Sequence, residues 1–262
     1  MRTPFIALAM MAMTGHAMAE TVQLYAAGSL RSALTDVAKA YEAKSGNKVE
    51  AKFSASGLLK DEIAGGAKAD IFASANMEHP LALQAAGKSG AVARFARNKL
   101  CALVKPGLSV TTGTLLERML DPAVKLGSST PKADPSGDYA FEVFAKAEAL
   151  KPGARAILEK KALLLTGAAD SATAPAGRTL YGWHMTEGHA DIFVTYCTNA
   201  QLAKKGNPDQ QIVALPDSLS VGADYGLTVL NGASPAAQDF AQFILSPDGQ
   251  KIVVNHGFSA GK

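Results

Sequence analysis

The sequence predicts an α/β fold, because short apolar runs typical of buried strands alternate along the chain with amphipathic helical patterns. The strand-like runs are 21–27, 49–54, 70–74, 99–104, 124–128, 191–197 and 225–230. The helical patterns fill 30–44, 57–65, 78–86, 113–120, 138–150 and 155–163, followed by a C-terminal helix over roughly 235–254. An alternation of this kind favours mainly parallel sheets covered by helices.

The C-terminal helix carries its own start signal. Ser234 is expected to cap it and Pro235 to occupy its first position, where a missing N–H costs nothing. A second Ser-Pro pair, Ser246-Pro247, predicts a break inside the helix.

The first 19 residues are typical of a secretory signal peptide. Arg2 supplies a positive n-region, 5–13 is an apolar run too short to span a bilayer, and Ala17-Met18-Ala19 matches an A-x-A cleavage site. We therefore expect cleavage after Ala19, a mature chain beginning at Glu20, and export to the periplasm. About 243 residues then remain (262 minus 19), enough for two modest domains or one large one.

Composition excludes some classes of protein. Hydrophobic residues make up 48% of the chain and charged residues 19%, which is typical of a globular protein. The net charge is only +3, and the lysines and arginines are scattered rather than clustered with aromatic residues. Nucleic acid is therefore not an expected partner.

Two serines follow strand-like runs in the same way. Ser29 comes after 21–28 and Ser56 after 49–55, and each is expected to cap the helix that begins there. Strand ends of an open parallel sheet line a crevice, where two helix N-termini with hydroxyl groups can converge on an anion. A serine cap is more often purely structural, so a simple capping role is the alternative for each.

Cys101 and Cys197 are the two cysteines of the chain. Export makes a disulfide between them possible, and two separate buried thiols are the equally weighted alternative. Their spacing does not match a metal-binding pair.

The region 166–183 interrupts the alternation, since 166–178 is rich in glycine, alanine, proline and small polar residues. A long irregular segment inside a compact domain is usually functional or mobile, and the alternative is a surface loop without a role.

Catalysis is not expected. Ser129-Thr130-Pro131-Lys132 matches the S-x-x-K pattern of penicillin-recognising serine enzymes, but prolines crowd it and the other motifs of those enzymes do not follow. A serine hydrolase is the remote alternative. His184 and His189 are five residues apart, unlike the histidines of HExxH, so structural roles are expected and no metal site is predicted.

Several segments together resemble the periplasmic molybdate-binding proteins of ABC importers, within the type II solute-binding class. The resemblance covers nearly the whole mature chain, and the order of the segments makes it specific. The segments are Tyr25-Ala26-Ala27-Gly28-Ser29-Leu30, Phe53-Ser54-Ala55-Ser56, 67–75, 98–104, Thr130-Pro131 with 135–140, and Asp191-Ile192-Phe193-Val194-Thr195-Tyr196.

The resemblance implies a type II periplasmic-binding-protein fold, in which two α/β domains are joined by two crossover strands at a hinge. The expected boundaries are 20–100 with 225–262 for domain I and 101–224 for domain II. The implied ligand is molybdate or tungstate in the cleft between the domains, with no further cofactor. The implied contacts are Ser29, Ser56, the backbone N–H of Ser136 and the Tyr196 hydroxyl. The implied partner is the membrane permease of an ABC importer, and the chain is expected to be monomeric.

One position departs from this pattern. A further backbone N–H contact of the family falls near Arg178, where the family has an aliphatic residue in a regular helix. If Arg178 faces the cleft it can hold another anion or a small organic carboxylate, with Tyr181 and Trp183 as a platform for a planar ligand. A solvent-exposed Arg178 is the alternative, and it would leave the tetrahedral oxyanion ahead.

Overall fold

The computed structural model describes residues 19–261, so the predicted signal peptide lies almost entirely outside the described residues. The strands are β1 Thr21–Ala27, β2 Lys48–Ser54, β3 Ile71–Ser74, β4 Ser89–Val104, β5 Leu126–Ser129, β6 Leu163–Thr166, β7 Ile192–Tyr196, β8 Gln211–Ala214, β9 Gly222–Leu230 and β10 Ser259–Ala260. The helices are α1 Arg31–Ser45, α2 Ser56–Ala64, α3 Glu78–Ala85, α4 Leu115–Leu120, α5 Pro135–Leu150, α6 Ala154–Lys161, α7 Leu180–Thr186, α8 Cys197–Gly206, α9 Pro235–Leu245 and α10 Pro247–Asn255.

The strands pair in the order β2-β1-β3-β9-β4-β7-β5-β6, with β8 and β10 also pairing with β4. Long strand β4 therefore belongs to two groups. Up to Lys99 it pairs with β9, and from Leu100 onward it pairs with β7. We call the part built on β1–β3, β9 and β10, with α1–α3, α9 and α10, the first lobe. The part built on β5–β8, with α4–α8, is the second lobe.

The predicted α/β class is confirmed, but its sheet is mixed rather than mainly parallel. Parallel pairs join β1 to β2 and β3 in the first lobe, and β5 to β6 and β7 in the second. Strands β4 and β9 pair with their neighbours in antiparallel fashion. The chain reverses direction in β4 and β9 because these segments run between the lobes instead of returning through a helix.

Apolar residues that recur at helical spacing in the sequence form the core of the first lobe. Leu30, just before α1, and Leu34 and Val37 on one side of α1 are fully buried, as are Val22 and Leu24 of β1. The alternation in β1 and the spacing in α1 bring both sets to the same layer. The starts of α9 and α10 are also as predicted, since Ser234 and Ser246 each cap a helix that has proline in its first turn.

A disulfide joins Cys101 to Cys197, as one of the two alternatives predicted. Cys101 lies in β4 and Cys197 is the first residue of α8, directly after Tyr196 of β7. The bond therefore ties the strand that leaves the first lobe to a helix of the second.

The partner of β4 changes from β9 to β7 between Lys99 and Leu100, and β9 itself begins at Gly222. A division of the chain into 20–100 with 225–262 and 101–224 remains our proposal for the domains. Within residues 19–261, no helix combines the length and the apolar character needed to cross a membrane.

Candidate functional site

A cavity of about 510 Å³ lies between the lobes. Its walls come from the start of the first lobe's helices, from the segment after β6, and from the ends of β7 and α8. The polar residues that line it are Ser29, Arg31, Ser32, Ser54, Ser56, Asp134, Thr166, Ser171, Thr173, Arg178, Thr179, Tyr181, Tyr196 and Asn199.

Ser29 lies in a 3-10 turn over Gly28–Leu30, and its hydroxyl bonds the Tyr225 hydroxyl at 3.0 Å. The Asn98 amide donates to the same Tyr225 oxygen at 3.3 Å. Either hydroxyl of the Ser29–Tyr225 pair can be the donor, and when Tyr225 donates, the Ser29 oxygen accepts. In that arrangement the Ser29 hydroxyl proton is free to donate to a solute.

Ser56 is fully buried and accepts a hydrogen bond from the Ala75 backbone N–H at 3.1 Å. That bond uses the hydroxyl oxygen as acceptor, so the hydroxyl proton of Ser56 is also free to donate toward the cavity. Ala75 lines the cavity as well.

The prediction that Ser29 and Ser56 are helix caps is wrong. The chain is extended at Ala27 and Ala55, so the first helical turn begins at Gly28, two positions earlier than expected, and α2 begins one position earlier, at Ser56. Neither helix start has a side-chain cap. A serine that caps its own helix would use its hydroxyl as an acceptor there, whereas these hydroxyls contact other elements.

Tyr196 ends β7 and is 1% exposed, yet its side chain lines the cavity. Its hydroxyl is 3.4 Å from the Ala75 carbonyl oxygen. Burial raises the pKa of Tyr196 well above its ordinary value, so this hydroxyl stays protonated. Its proton is directed to the Ala75 carbonyl oxygen, and a solute would receive it by replacing that long bond.

Ser136 is fully buried, and its backbone N–H donates to Asp134 Oδ1 at 3.0 Å. Asp134 is the N-cap of α5, and it is Asp134 rather than Ser136 that lines the cavity. The N–H expected to meet the anion is therefore bonded to a carboxylate of the chain itself. Of the four contacts implied by resemblance, Ser29, Ser56 and Tyr196 meet at one cavity.

Hydroxyl groups surround Asp134 in the second lobe. The Ser129 hydroxyl bonds the Thr166 hydroxyl at 2.7 Å, and the Tyr181 hydroxyl lies 3.5 Å from the Ser129 hydroxyl. Burial raises the pKa of Asp134 to about 6, while the Ser136 N–H and the nearby Ser129 hydroxyl oppose that rise. At neutral pH the group remains largely ionised.

Arg178 lines the cavity and forms an ion pair with Glu187 at 2.7 Å. Its side chain is 37% exposed, so it lies at the cavity mouth rather than at its base. Arg31 also lines the cavity, with its guanidinium 4.8 Å from the centre of the Phe53 ring. Among the described residues, the charged groups of the lining are these two arginines and Asp134.

The predicted platform is found only in part. Tyr181 lines the cavity, whereas Trp183 packs against the rings of His184 and His189, with centroids 4.6 and 5.3 Å away. The two histidines bond each other through their Nδ1 atoms at 3.0 Å, so both are involved in packing. Within residues 19–261, no group of three or more acidic, histidine or cysteine side chains could hold a metal ion.

The irregular segment 166–178 contributes much of the cavity wall, through Thr166, Gly167, Ala168, 171–174 and Arg178. The segment that interrupts the predicted alternation therefore borders the candidate site.

Sequence reasoning missed Asp134 and Arg31 as lining residues. A signal for Asp134 was present, because Asp134-Pro135 has the same cap-and-proline form that identified Ser234-Pro235. No comparable signal marks Arg31, whose position depends on the packing of α1 beside β2.

A model of the bacterial extracellular solute-binding protein family matches residues 22–259. Uncharacterized protein PM1146 of Pasteurella multocida (strain Pm70) is 35% identical over 240 residues, which cover 90% of this chain and 98% of that protein.

Solved structures share the fold at lower identity. The periplasmic molybdate-binding protein of Azotobacter vinelandii has a TM-score of 0.73 at 18% identity, covering 92% of this chain and all of that one. Peb3 from Campylobacter jejuni has a TM-score of 0.66 at 21% identity, covering 90% and 98% of the two chains. PEB3 bound to L-phospholactate has a TM-score of 0.68.

These structural likenesses show the type II periplasmic-binding-protein fold, and the family match extends over almost every described residue. The chain belongs to the bacterial extracellular solute-binding protein family.

Proposed function

We propose that this protein captures an organic anion in its cleft and delivers it to the membrane permease of an ABC importer. The family supports solute capture outside the cytoplasm. The observation that carries the choice of an anion is the meeting of the Ser29, Ser56 and Tyr196 hydroxyls with Arg178 at one cavity. Hydroxyl donors and a guanidinium replace the hydration shell of a carboxylate or phosphate group.

The size of the cavity favours an anion with an organic body. About 510 Å³ is within the range of sites that hold small organic molecules, whereas a tetrahedral oxyanion has only five heavy atoms. Arg178 at the mouth can contact a second group of a longer ligand, which the hydroxyls at the base do not reach. The phospholactate complex of PEB3 shows that this fold accommodates such a solute.

Molybdate or tungstate is the second candidate. It is favoured by the hydroxyls of Ser29, Ser56 and Tyr196, which are the positions implied by the resemblance. The Azotobacter vinelandii neighbour is named as a molybdate-binding protein. In this case Arg178 would have no part in binding.

Hydrolysis has less support. The Ser129 hydroxyl of the S-x-x-K pattern is bonded to Thr166, and Lys132 of the same pattern is exposed. We expect a serine hydrolase probe to leave the protein unlabelled.

The experiment is a thermal-shift and calorimetric titration of the mature protein with molybdate, tungstate, sulfate, phosphate, dicarboxylates and phosphomonoesters. A ligand that binds the folded state alone raises the melting temperature. We expect larger shifts with organic anions than with molybdate or tungstate. Larger shifts with the two metal oxyanions would select the second candidate, and no shift with any anion would contradict anion capture.

Arg178→Gln separates the candidates further. It should weaken binding of an organic anion about tenfold, the usual effect of losing a hydrogen bond to a charged group, and leave molybdate binding unchanged. Glu187→Gln is the matched control, because it removes the Arg178 ion pair but keeps the guanidinium. It should retain binding.

A further inference from the structure

The N-terminus of α5 is already occupied by an anion of the protein itself. Asp134 is extended, with φ −124° and ψ 119°, and its carboxylate accepts the Ser136 N–H at 3.0 Å. A helix N-terminus attracts negative charge through its free N–H groups and its dipole. Here the capping carboxylate takes that place, so this helix start presents an acceptor to the cleft instead of a row of donors.

The carboxylate is held firmly in this position. Gly167, with a φ of +90°, approaches so closely that a Cβ there would lie 3.0 Å from Asp134 Oδ2. The Ser129 hydroxyl lies near the carboxylate, at the end of strand β5. Asp134 is therefore fixed between two elements of the second lobe while it lines the cavity.

The first lobe presents the opposite chemistry. Ser56 accepts a hydrogen bond from the protein and retains a hydroxyl proton for the solute, and Ser29 does the same when Tyr225 is the donor of their shared bond. Arg31 supplies positive charge on the same side, and Arg178 supplies it from the segment after β6. The first lobe thus offers hydroxyl donors and one cation, while the second lobe offers the Asp134 carboxylate as an acceptor and Arg178 at the mouth.

We propose that Asp134 accepts a hydrogen bond from the bound solute, so that the cleft selects anions that also carry a hydroxyl donor. The ligand class is a hydroxylated organic anion, and a hydrogen phosphate group offers the same donor chemistry. This inference rests on the proposed function, since it specifies a hydrogen-bond donor that the captured anion carries. An anion without a donor would place its negative charge against the Asp134 carboxylate with no hydrogen bond between the two groups, and two like charges in a cleft repel each other.

The test uses pairs of anions that differ in a single donor: malate against succinate, glycerol 3-phosphate against propyl phosphate, and phosphate against sulfate at pH 7.5. Dissociation constants are measured by calorimetry on the mature protein. We expect the member with the donor to bind at least about tenfold more tightly in each pair that binds, the factor typical of a hydrogen bond to a charged group.

Asp134→Asn inverts the chemistry at this one position. Asparagine caps helices as well as aspartate does, so its carbonyl oxygen keeps the Ser136 bond while its amide donates toward the cavity. The preference for the donor-bearing member should disappear or reverse. Asp138→Asn is the matched control, because it removes the same charge one turn along α5, where the carboxylate accepts from the Lys132 N–H at 2.7 Å. This control should keep the preference.

The outcomes distinguish the two proposals. Binding of anions with no difference within the pairs, or a preference that survives in Asp134→Asn with its melting transition intact, would overturn this inference and leave anion capture standing. Binding of no anion at all would overturn the proposed function and this inference with it. Loss of the preference in Asp134→Asn alone supports both.

Discussion

At the scale of single residues, the capacity of the cavity to bind an anion depends on hydroxyl groups whose oxygen accepts a hydrogen bond from the protein while the proton remains free to donate. Ser56 illustrates this, because the Ala75 N–H occupies its oxygen and leaves its proton available. Hydroxyls satisfied in this way are oriented before the solute arrives, which reduces the entropy lost on binding.

Ser56→Ala should therefore weaken anion binding by about 1–3 kcal/mol, the range for a lost hydrogen bond to a charged group. Ser29→Ala should behave in the same way, and calorimetry measures both. Ser45→Ala is the control, since that hydroxyl bonds the Tyr41 carbonyl at the end of α1. Unchanged affinity in both cavity variants would contradict the assignment of these serines.

Protonation of Asp134 should change the affinity for an anion that has no donor. With a pKa of about 6, its carboxyl is about 3% neutral at pH 7.5 and about 90% neutral at pH 5. The neutral form lacks the repelling charge and can donate, so sulfate affinity should rise by up to about 30-fold as the pH falls. Burial raises the pKa values of Tyr181 and Tyr196, so their hydroxyls stay protonated throughout this interval. A calorimetric pH series tests this expectation, and Asp134→Asn should give a flat profile.

At the scale of elements, the disulfide links β4 covalently to the point where β7 ends and α8 begins. Tyr196 precedes Cys197, so the bond also holds the residue that closes the cavity wall. It links positions 96 residues apart, and such a link removes much of the freedom of the unfolded chain.

The double variant Cys101→Ser/Cys197→Ser should lower the free energy of unfolding by about 2–4 kcal/mol. Urea denaturation of the variant and of the oxidised protein measures the difference. The reduced parent protein serves as the control and should lose a similar amount. Equal unfolding midpoints for all three would show that the bond adds no stability.

The elements also show how far sequence reasoning extends. Strand β1 and helices α9 and α10 were predicted within a residue or two, because period, cap and proline signals agree there. Helices α7 and α8 and strands β6 and β8 were not predicted. They are short and lack a clear period, and α8 begins with a cysteine and a threonine whose places depend on contacts with β4.

The site was predictable to a similar degree. Ser29, Ser56 and Tyr196 were found through local motifs that share an order along the chain. The roles of Asp134 and Arg31 were not, because they depend on which groups face each other across the cleft. The cap signal at Asp134-Pro135 marks a helix start. It does not reveal that the Asp134 carboxylate, rather than the Ser136 N–H, is the group that lines the cavity.

At the scale of the whole molecule, the lobes touch directly at the start of α2. The Gly57 N–H donates to the Ala133 carbonyl oxygen at 2.9 Å, from the first lobe to the second. A Cβ at Gly57 would lie 2.6 Å from that oxygen and would also meet the Lys132 carbonyl oxygen. Any larger side chain at position 57 would collide with the second lobe, so this contact between the lobes requires glycine.

Gly57→Ala should keep each lobe folded but hold the lobes apart, since alanine suits a helix and the obstruction lies across the cleft. We expect weaker anion binding, and a larger radius of gyration with saturating ligand than in the parent protein. Small-angle scattering and calorimetry measure these effects. Gly206→Ala, where a Cβ meets open space, is the control. Normal affinity and compactness in Gly57→Ala would show that the contact is dispensable.

The Cys101–Cys197 bond also makes the stability of the protein depend on the compartment in which the chain lies. Thiols stay reduced in the cytoplasm, and the family to which this protein belongs acts outside it. Before export the chain therefore lacks the stabilisation of this bond and is easier to keep unfolded for passage through a membrane. Oxidation afterwards makes the folded state harder to unfold in the oxidising environment where the protein acts. The same sequence is thus less stable where it must be moved and more stable where it must work.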